Sequence, residues 1–228
     1  MSKISIVIPT LNEARTLEKT IDRAQTGSNV EIIVVDGGSQ DPTVEIARSR
    51  GVQTIVSPQP GRAAQMNAGG AIATGNILLF LHADTHLPPE YDKAVRAALS
   101  QPHVVAGAFE LNIDSSLPSL RWVEKMVSAR SRFLQLPYGD QALFLQTSLF
   151  EELGGFPNFP IMEDFEFVRH LKRRGKIAIV PTAVLTSPRR WLKLGVFRTT
   201  FINQAIVFGY FLGIPPTQLR RWYRGIRH

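Results

Sequence analysis

Apolar positions in the first hundred residues form short β-branched runs that alternate with stretches of helical periodicity. In one helical stretch Leu17 and Ile21 stand one turn apart, and further on Asp41 and Pro42 suit the cap and first residue of a helix. The predicted strands are residues 4–8, 31–35, 54–56 and 77–81, the last of them apolar without alternation, as in a strand buried on both faces. The predicted helices are residues 16–24, 63–73 and the one that follows Pro42.

The second half of the chain is less regular. Its predicted strands are residues 104–111, 142–145 and 177–180, and its predicted helices are residues 117–136, a short one that stops at Gly154-Gly155, and residues 164–174. The alternation of strands and helices predicts an α/β fold with a mostly parallel central sheet flanked by helices. We expect one domain over residues 1–190, followed by a basic, aromatic, helical tail over residues 191–228.

Composition narrows the class of protein. With 228 residues and 44% hydrophobic content, the chain can build one sizeable core. It contains no cysteine, which excludes disulfides, thiolate metal sites and a cysteine nucleophile and fits a reducing cytoplasm. The apolar run that ends at Pro9 is too short for the core of a signal peptide, so we expect a cytoplasmic protein, at the inner face of the plasma membrane if the tail binds lipid.

The charge is unevenly placed. The net charge is +7, and Glu166 is the last acidic residue of the chain. Residues 199–219 carry no charge, but their purely apolar part, residues 205–214, is too short to span a bilayer. Two interpretations remain for this segment: a helix packed on the domain or on another subunit, or a helix lying on a membrane surface between Arg198 and the cationic residues 220–224. We expect no nucleic-acid partner.

Polar residues follow three of the predicted strands. They are residues 9–13, 36–41 and 82–84. Because the carboxyl ends of parallel strands meet at one edge of a sheet, we expect these segments to share a crevice. The first turn lacks the glycine-rich sequence of a dinucleotide-binding fold, and no Walker motif is present, so a nucleotide must be held differently. Asp36 is then placed to accept hydrogen bonds from a base or a ribose.

Three acidic segments are candidates for chemistry. If residues 82–84 are extended, His82 and Asp84 project to the same side, where they can hold Mn²⁺ or Mg²⁺. The competing explanation for Asp84 is a capping aspartate after a strand. Glu163 and Asp164 precede a helix, where an acid stabilises the helix dipole, but two adjacent carboxylates also suit a general base. The third acidic candidate is Asp140, in the segment Gly139-Asp140-Gln141.

The sequence of these segments resembles family 2 glycosyltransferases. Residues 5–13 (SIVIPTLNE) are similar to the opening of that family, residues 34–41 (VVDGGSQD) to its second nucleotide-contacting segment, and residues 61–69 (GRAAQMNAG) to its arginine-containing segment. Residues 79–84 (LFLHAD) stand at the Asp-x-Asp metal motif, with His82 in place of the first acid. In this detail the chain resembles a bacterial subgroup, some of it of the arsenosugar-biosynthesis type.

The resemblance implies the GT-A fold and an inverting glycosyltransferase of the hexosyltransferase type. It implies a UDP- or GDP-sugar donor and a hydroxyl acceptor that lipid linkage would place at a membrane. Asp164 would be the base, with Glu163 orienting it or exchanging roles with it, and Asp84 with His82 would hold the divalent cation. The remaining implied contacts of the donor and acceptor are Pro9, Thr10, Asn12, Glu13, Asp36, Gly38, Arg62, Asp140 and Gln141.

Two other functions are compatible with the residues. A metal-dependent nucleotidyltransferase would use a similar crevice, with Arg15 and Arg62 near the triphosphate, but its glycine-rich signature is absent. A non-catalytic protein that binds nucleotide or nucleic acid through the basic tail would show salt-sensitive binding that does not need Asp84.

Overall fold

The computed structural model describes residues 1–225 as one eight-stranded sheet with helices on both faces. The strands are β1 Ile4–Thr10, β2 Val30–Asp36, β3 Gln53–Val56, β4 Ile77–Phe80, β5 Thr85–His86, β6 Val104–Ile113, β7 Phe144–Gln146 and β8 Lys176–Thr186. The helices are α1 Leu17–Ala24, α2 Thr43–Ser49, α3 Arg62–Ile72, α4 Tyr91–Leu99, α5 Pro118–Leu134, α6 Thr147–Glu152, α7 Glu163–Arg174, α8 Arg189–Leu194, α9 Val196–Phe211 and α10 Pro216–Gly225. A 3-10 turn covers Gly139–Gln141.

The strand order is β3-β2-β1-β4-β7-β6-β8-β5. Strands β1 to β4 pair in parallel in the order β3-β2-β1-β4, and β6 pairs in parallel with β8, so the prediction of a mostly parallel sheet is confirmed. Strand β7 is antiparallel to both of its neighbours, and β5 is antiparallel to β8.

Alternation along the strands divides the core between the two faces of the sheet. Strand β1 sends Ile4, Ile6 and Ile8 to one face, where they pack with α1, α4 and α5. It sends Val7 to the other face, where α3, α6 and α7 pack. Strand β4 is buried along its whole length, as its unbroken apolar sequence predicts.

Several boundaries differ from the sequence prediction. Helix α2 begins at Thr43, with Pro42 in the capping position, although the carboxylate of Asp41 still accepts the backbone N–H of Thr43 at 3.2 Å. Strand β8 continues to Thr186, and neither β5 nor α4 was predicted. The apolar residues that α4 buries, Tyr91, Val95 and Ala98, alternate with alanine and charged positions, which weakens the helical signal.

The tail packs on the domain. Ile202, Ile206 and Leu219 are buried together with Met162 and Phe165, which flank the start of α7. None of the helices within residues 1–225 is both long and apolar enough to cross a membrane. Of the predicted tail 191–228, residues 226–228 lie outside the described part of the chain.

An ion pair ties the amino ends of β1 and β2 to the loop before β4. Glu31 accepts hydrogen bonds from Lys3 Nζ at 2.7 Å and from the backbone N–H of Thr74 at 2.7 Å, and it also bonds Ser5. Burial alone would raise the pKa of Glu31, but these donors outweigh it and lower the pKa to about 2. Because these donors lie far from the carboxyl edge of the sheet, a substitution of Glu31 probes only the stability of the fold.

We predict that Glu31→Gln lowers the free energy of unfolding at pH 7 by about 1–2 kcal/mol, a value reduced because solvent screens part of the interaction. A folded-state pKa below that of the unfolded chain stabilises the fold above pH of about 4.3, and this stabilisation is lost as the pH falls toward 2. Urea unfolding of parent and variant between pH 7 and pH 3 should therefore show the difference shrinking. Glu18→Gln, at an exposed ion pair with Arg50, is the control and should change little; an equal loss in both variants would contradict the assignment.

Candidate functional site

The carboxyl edge of the sheet collects the predicted polar segments. Thr10 ends β1, Asp36 ends β2, and His82 lies just beyond the end of β4. Because β7 runs antiparallel to β4, with Leu79 opposite Phe144, the residues that precede β7 lie beside those that follow β4. This pairing brings the Gly139–Gln141 turn to the same edge.

A small pocket opens at this edge. Its wall includes Pro9, Arg62, His82, Gly139, Phe156 and Asp164. Thus three groups that the sequence places more than fifty residues apart meet in one cavity: the end of β1, the start of α3 and the start of α7.

Arg62 is the centre of the polar contacts in this pocket. Its Nε donates to Glu163 Oε1 at 2.5 Å, and its Nη2 lies 3.7 Å from Asp164 Oδ2. Its Nη1 lies 3.2 Å from His82 Nε2. The position follows from local structure, because Gly61, at φ +118°, turns the chain into α3 so that Arg62 is its first residue.

The two adjacent carboxylates have different protonation properties. Burial raises the pKa of Glu163, and Arg62 offsets only part of that effect. Burial also acts to raise the pKa of Asp164, but Arg62 and the backbone N–H groups of Gly139 and Phe165 outweigh it and hold the pKa below its ordinary value. Each of those N–H groups lies 2.8 Å from Asp164. Of the two, Asp164 is the carboxylate that stays ionised to the lower pH, which suits a general base.

The turn that faces Asp164 has no room for a side chain. A Cβ on Gly139 would lie 2.9 Å from Asp164 Oδ2 and 3.2 Å from His82 Nε2. Next to it, Asp140 has a buried Oδ1 that accepts no hydrogen bond from the described residues, and burial raises the pKa of this carboxyl. An unpaired buried oxygen is costly unless a ligand satisfies it, so Asp140 is a candidate for substrate contact.

Left-handed backbone flanks both the Gly139–Gln141 turn and the start of α7. Ala142 follows the Gly139–Gln141 turn with φ 50°, and Met162 precedes Glu163 with φ 70°. Residues other than glycine rarely occupy this left-handed region of backbone conformation, and those that do cluster at active sites.

The loop after β2 is organised by Asp36. This buried carboxylate accepts the backbone N–H groups of Gly38 and Ser39, both at 2.8 Å, and the hydroxyl of Thr10 at 3.3 Å. Asn12 completes the edge by accepting the N–H of Gln40 at 2.8 Å. The predicted nucleotide-contacting residues of β1 and β2 thus form one hydrogen-bonded rim.

Residues 82–84 differ from the prediction. They are not extended: the N–H of Thr85 donates to the carbonyl of His82 at 3.1 Å, which closes a turn. His82 therefore faces Arg62, whereas Asp84 pairs with Arg189 at 3.1 Å. Burial raises the pKa of Asp84, and burial together with Arg62 lowers that of His82. The assumption that alternation along a strand aligns the two side chains was wrong.

Arg189 is a site residue that the sequence did not single out. Its guanidinium binds Glu13 through both terminal nitrogens, at 2.5 and 2.7 Å, and binds Asp84 through Nε. It reaches the site because β5 pairs with the end of β8, so that Ser187 bonds the backbone of Asp84. The basic character of residues 167–228 was the available signal, but it does not indicate which arginine folds back.

Two buried glutamines hold the backbone around the site in place. Gln65 donates to the carbonyls of Thr10 and Val35 at 2.6 and 2.8 Å and so joins the ends of β1 and β2. Gln141, expected to touch a sugar, has no exposed surface: it donates to the carbonyl of Phe109 and accepts from Ser131 and Arg130. In this conformation it holds the turn in place rather than reaching the pocket.

A family model described as Glycosyl transferase family 2 matches residues 5–153, about two thirds of the chain. The chain belongs to glycosyl transferase family 2. A relative named "PGL/p-HBAD biosynthesis glycosyltransferase" from Mycobacterium bovis is 31% identical over 172 residues, which is 72% of this chain and 67% of the relative. An undecaprenyl-phosphate 4-deoxy-4-formamido-L-arabinose transferase of Aeromonas hydrophila is 30% identical over 55% of this chain and 40% of its own length.

Solved structures of similar shape confirm the GT-A fold of this family 2 member. The mannosyltransferase PcManGT of Pyrobaculum calidifontis, solved with GDP-Man and Mn²⁺, has a TM-score of 0.66 at 23% identity and covers 81% of this chain. Glucosyl-3-phosphoglycerate synthase of Mycobacterium tuberculosis, solved with Mn²⁺ and UDP-glucose, has a TM-score of 0.58 at 20% identity and covers 79% of it. This chain spans 56% and 70% of those two chains. The predicted enzyme class, a glycosyltransferase, is confirmed at the level of the family.

We predict that Arg62→Met destabilises the fold by about 1–3 kcal/mol at pH 7, because it leaves two adjacent, largely buried carboxylates without their cation. The pKa of Glu163 then rises further above that of the unfolded chain. Such a group destabilises the fold at pH values above its unfolded pKa, and the loss vanishes as the pH falls below that value. Denaturant unfolding at pH 7 and pH 4 should show a large difference from the parent at the higher pH and a small one at the lower.

The double variant Arg62→Met/Glu163→Gln is the matched control for this prediction. Removing the charge of Glu163 removes the cause of the destabilisation, so the double variant should recover most of the stability at pH 7. A double variant no more stable than Arg62→Met would show that Arg62 acts through packing and not through its charge.

Proposed function

We propose that this protein transfers a sugar from a nucleotide-sugar donor to a hydroxyl acceptor, with inversion at the anomeric carbon. The observation that carries the proposal is the Arg62–Glu163–Asp164 cluster, which holds an ionised carboxylate in the wall of a pocket that Pro9, at the end of β1, also lines. Membership of family 2 favours this function over a nucleotidyltransferase or a non-catalytic nucleotide-binding protein.

In this proposal the donor lies along the rim formed by Pro9, Thr10, Asn12 and Asp36. The loop after β2 turns at Gly38, which has a φ of +94°, and its backbone N–H groups are held by Asp36 and Asn12. Proteins of similar fold were solved with GDP-mannose, UDP-glucose and UDP-GlcNAc, which supports a UDP- or GDP-sugar donor. Arg62 would approach the diphosphate, since its side chain is 39% exposed despite its ion pairs.

Asp164 would act as the base. It takes the proton of the acceptor hydroxyl while the acceptor oxygen forms a bond to the anomeric carbon, and the bond from that carbon to the diphosphate oxygen breaks. The proton ends on the carboxylate and the electron pair leaves with the nucleoside diphosphate. Glu163, whose pKa is raised, would keep Arg62 in place, and the unpaired oxygen of Asp140 would accept a hydroxyl of either sugar.

A divalent cation fits one side of this site. Within residues 1–225 no three His, Asp or Glu side chains gather into a ready metal site. However, Mg²⁺ and Mn²⁺ often use one or two carboxylates and complete their shell with substrate phosphates. The guanidinium of Arg189 already lies between Glu13 and Asp84, so these carboxylates suit a positive charge. Asp84 would hold the cation, and the cation would neutralise charge on the leaving diphosphate; His82, predicted as a second ligand, faces Arg62 in this structure.

A lipid-linked acceptor is the class that the relatives favour. One of them is named as an undecaprenyl-phosphate transferase. The arsenosugar-type subgroup suggested by His82 remains a prediction.

We predict that Asp84→Ala abolishes metal-stimulated donor binding, whereas Asp164→Asn binds donor normally and loses transfer or donor hydrolysis by at least about a hundredfold. Donor binding is measured by calorimetry, and turnover is measured separately. Both use UDP-, GDP- and dTDP-sugars with Mn²⁺, with Mg²⁺ and with chelator. Glu152→Gln, at an exposed ion pair with Arg174 at the far end of α7, is the control. Undiminished turnover in Asp164→Asn would remove it as the base, and donor binding indifferent to both metal and Asp84 would remove the cation from the proposal.

The pH profile distinguishes the two adjacent acids. If Asp164 is the base, its depressed pKa places the acid limb of kcat/KM below a pH of about 4, so activity stays level from neutral pH to pH 5. If Glu163 were the base, its raised pKa would place that limb above a pH of about 4.3. Initial rates between pH 4 and pH 8, with enzyme stability checked at each pH, decide between them. In Asp164→Glu the limb should move to higher pH while some activity remains.

A further inference from the structure

Helix α9 is apolar on both of its sides: one side is buried on the protein, and the other is largely exposed, although Phe211 at its end contacts Phe165. Ile202 and Ile206 face the domain and are buried. The opposite side exposes Phe197 by 77%, Phe201 by 75%, Phe208 by 65%, Phe211 by 60% and Leu212 by 65%. These five residues recur at helical spacing on either side of the exposed Gln204 and form one stripe, here called the phenylalanine face. Large exposed aromatic residues grouped in this way mark an interaction surface rather than scattered surface residues.

The surroundings of this face are cationic. Arg198 follows Phe197 on α9, and α10 adds Arg220 and Arg221. Helix α10 packs on α9 where Gly209 leaves room for Leu219 and Trp222, so its arginines lie close to the far end of the stripe. No residue from Phe167 to the end of the chain is acidic.

We propose that the phenylalanine face docks on an anionic lipid membrane. Aromatic and aliphatic side chains bordered by arginines are the composition of a helix that lies in the plane of a bilayer surface. Anionic headgroups supply the negative charge that this part of the protein lacks, and each nearby arginine adds to the attraction. This surface stands apart from the donor chemistry proposed above.

A second copy of the chain is the less suitable occupant. A two-fold dimer places the same patch of both copies face to face. Arg220 and Arg221 of both copies would then border one shared interface, and no residue from Phe167 to the end of the chain is acidic. The charge therefore favours lipid over self-association.

Docking would place the active site next to the bilayer. Phe165, directly after Asp164, packs edge to face with Tyr210 and Phe211 of α9, at ring distances of 5.7 and 5.6 Å. Tyr210 also donates to Glu166 of the catalytic helix at 2.6 Å. The proposed base and the docking helix are thus one packed unit, which suits an acceptor hydroxyl carried at the membrane surface.

The test is flotation of the full chain with vesicles of phosphatidylcholine alone and of phosphatidylcholine with roughly one third phosphatidylglycerol. We expect binding to the anionic vesicles only, weakened by salt. Phe201→Ser/Phe208→Ser should reduce partitioning by about tenfold or more. Arg220→Gln/Arg221→Gln should weaken binding and reduce its salt dependence. The control Val56→Ser, at a residue 60% exposed on β3, should bind like the parent.

Three results would overturn the proposal. They are failure of the parent to bind anionic vesicles, equal binding by the phenylalanine variant, and light scattering that shows a parent dimer converted to a monomer by that variant. Donor binding measured without lipid separates this question from the proposed chemistry, because both docking variants should bind donor as the parent does.

Discussion

The site depends on one cation that is shared by two carboxylates. Arg62 begins α3, whereas Glu163 and Asp164 begin α7. Glu163 follows Arg62 by 101 residues in the chain. Without the guanidinium, two neighbouring carboxylates in a largely buried position would repel each other, and one would be protonated. With it, Asp164 stays ionised and the start of α7 is drawn against the start of α3. The same arginine also contacts His82, so the ends of three segments are positioned by a single side chain.

The strand order explains why these segments can meet at all. Four parallel strands bring their carboxyl ends to one edge, and the antiparallel strand β7 then brings its preceding turn to that edge. A parallel β7 would have placed Gly139 and Asp140 at the opposite end of the sheet. The single antiparallel insertion between β4 and β6 is therefore what adds the Gly139–Gln141 turn to the edge formed by the parallel strands.

Local sequence was enough for the parts of the fold that local forces decide. Residues 4–10 and 30–36 have β-branched runs followed by polar residues, and the structure ends those strands at Thr10 and Asp36. What could not be predicted depends on pairing between distant segments. Nothing near Arg189 indicates that β8 extends to Thr186 and pairs with the two-residue strand β5, yet only that pairing carries Arg189 to Asp84. His82 was misplaced for a different reason: a local turn, closed by the N–H of Thr85 on the carbonyl of His82, ends the extended backbone that the alternation assumed.

Packing between α7 and α9 indicates a role for the tail that its composition alone does not indicate. If α9 served only to cover the domain, Ile202 and Ile206 would suffice, and polar residues on its other side would cost nothing in folding and gain solubility. Instead the exposed side carries phenylalanines, while Phe165 and Tyr210 join the helix to the residue that follows the proposed base. An apolar surface packed on α7 suits an acceptor that is held at a boundary between water and lipid. Docking would then orient the proposed base and the acceptor in a single step.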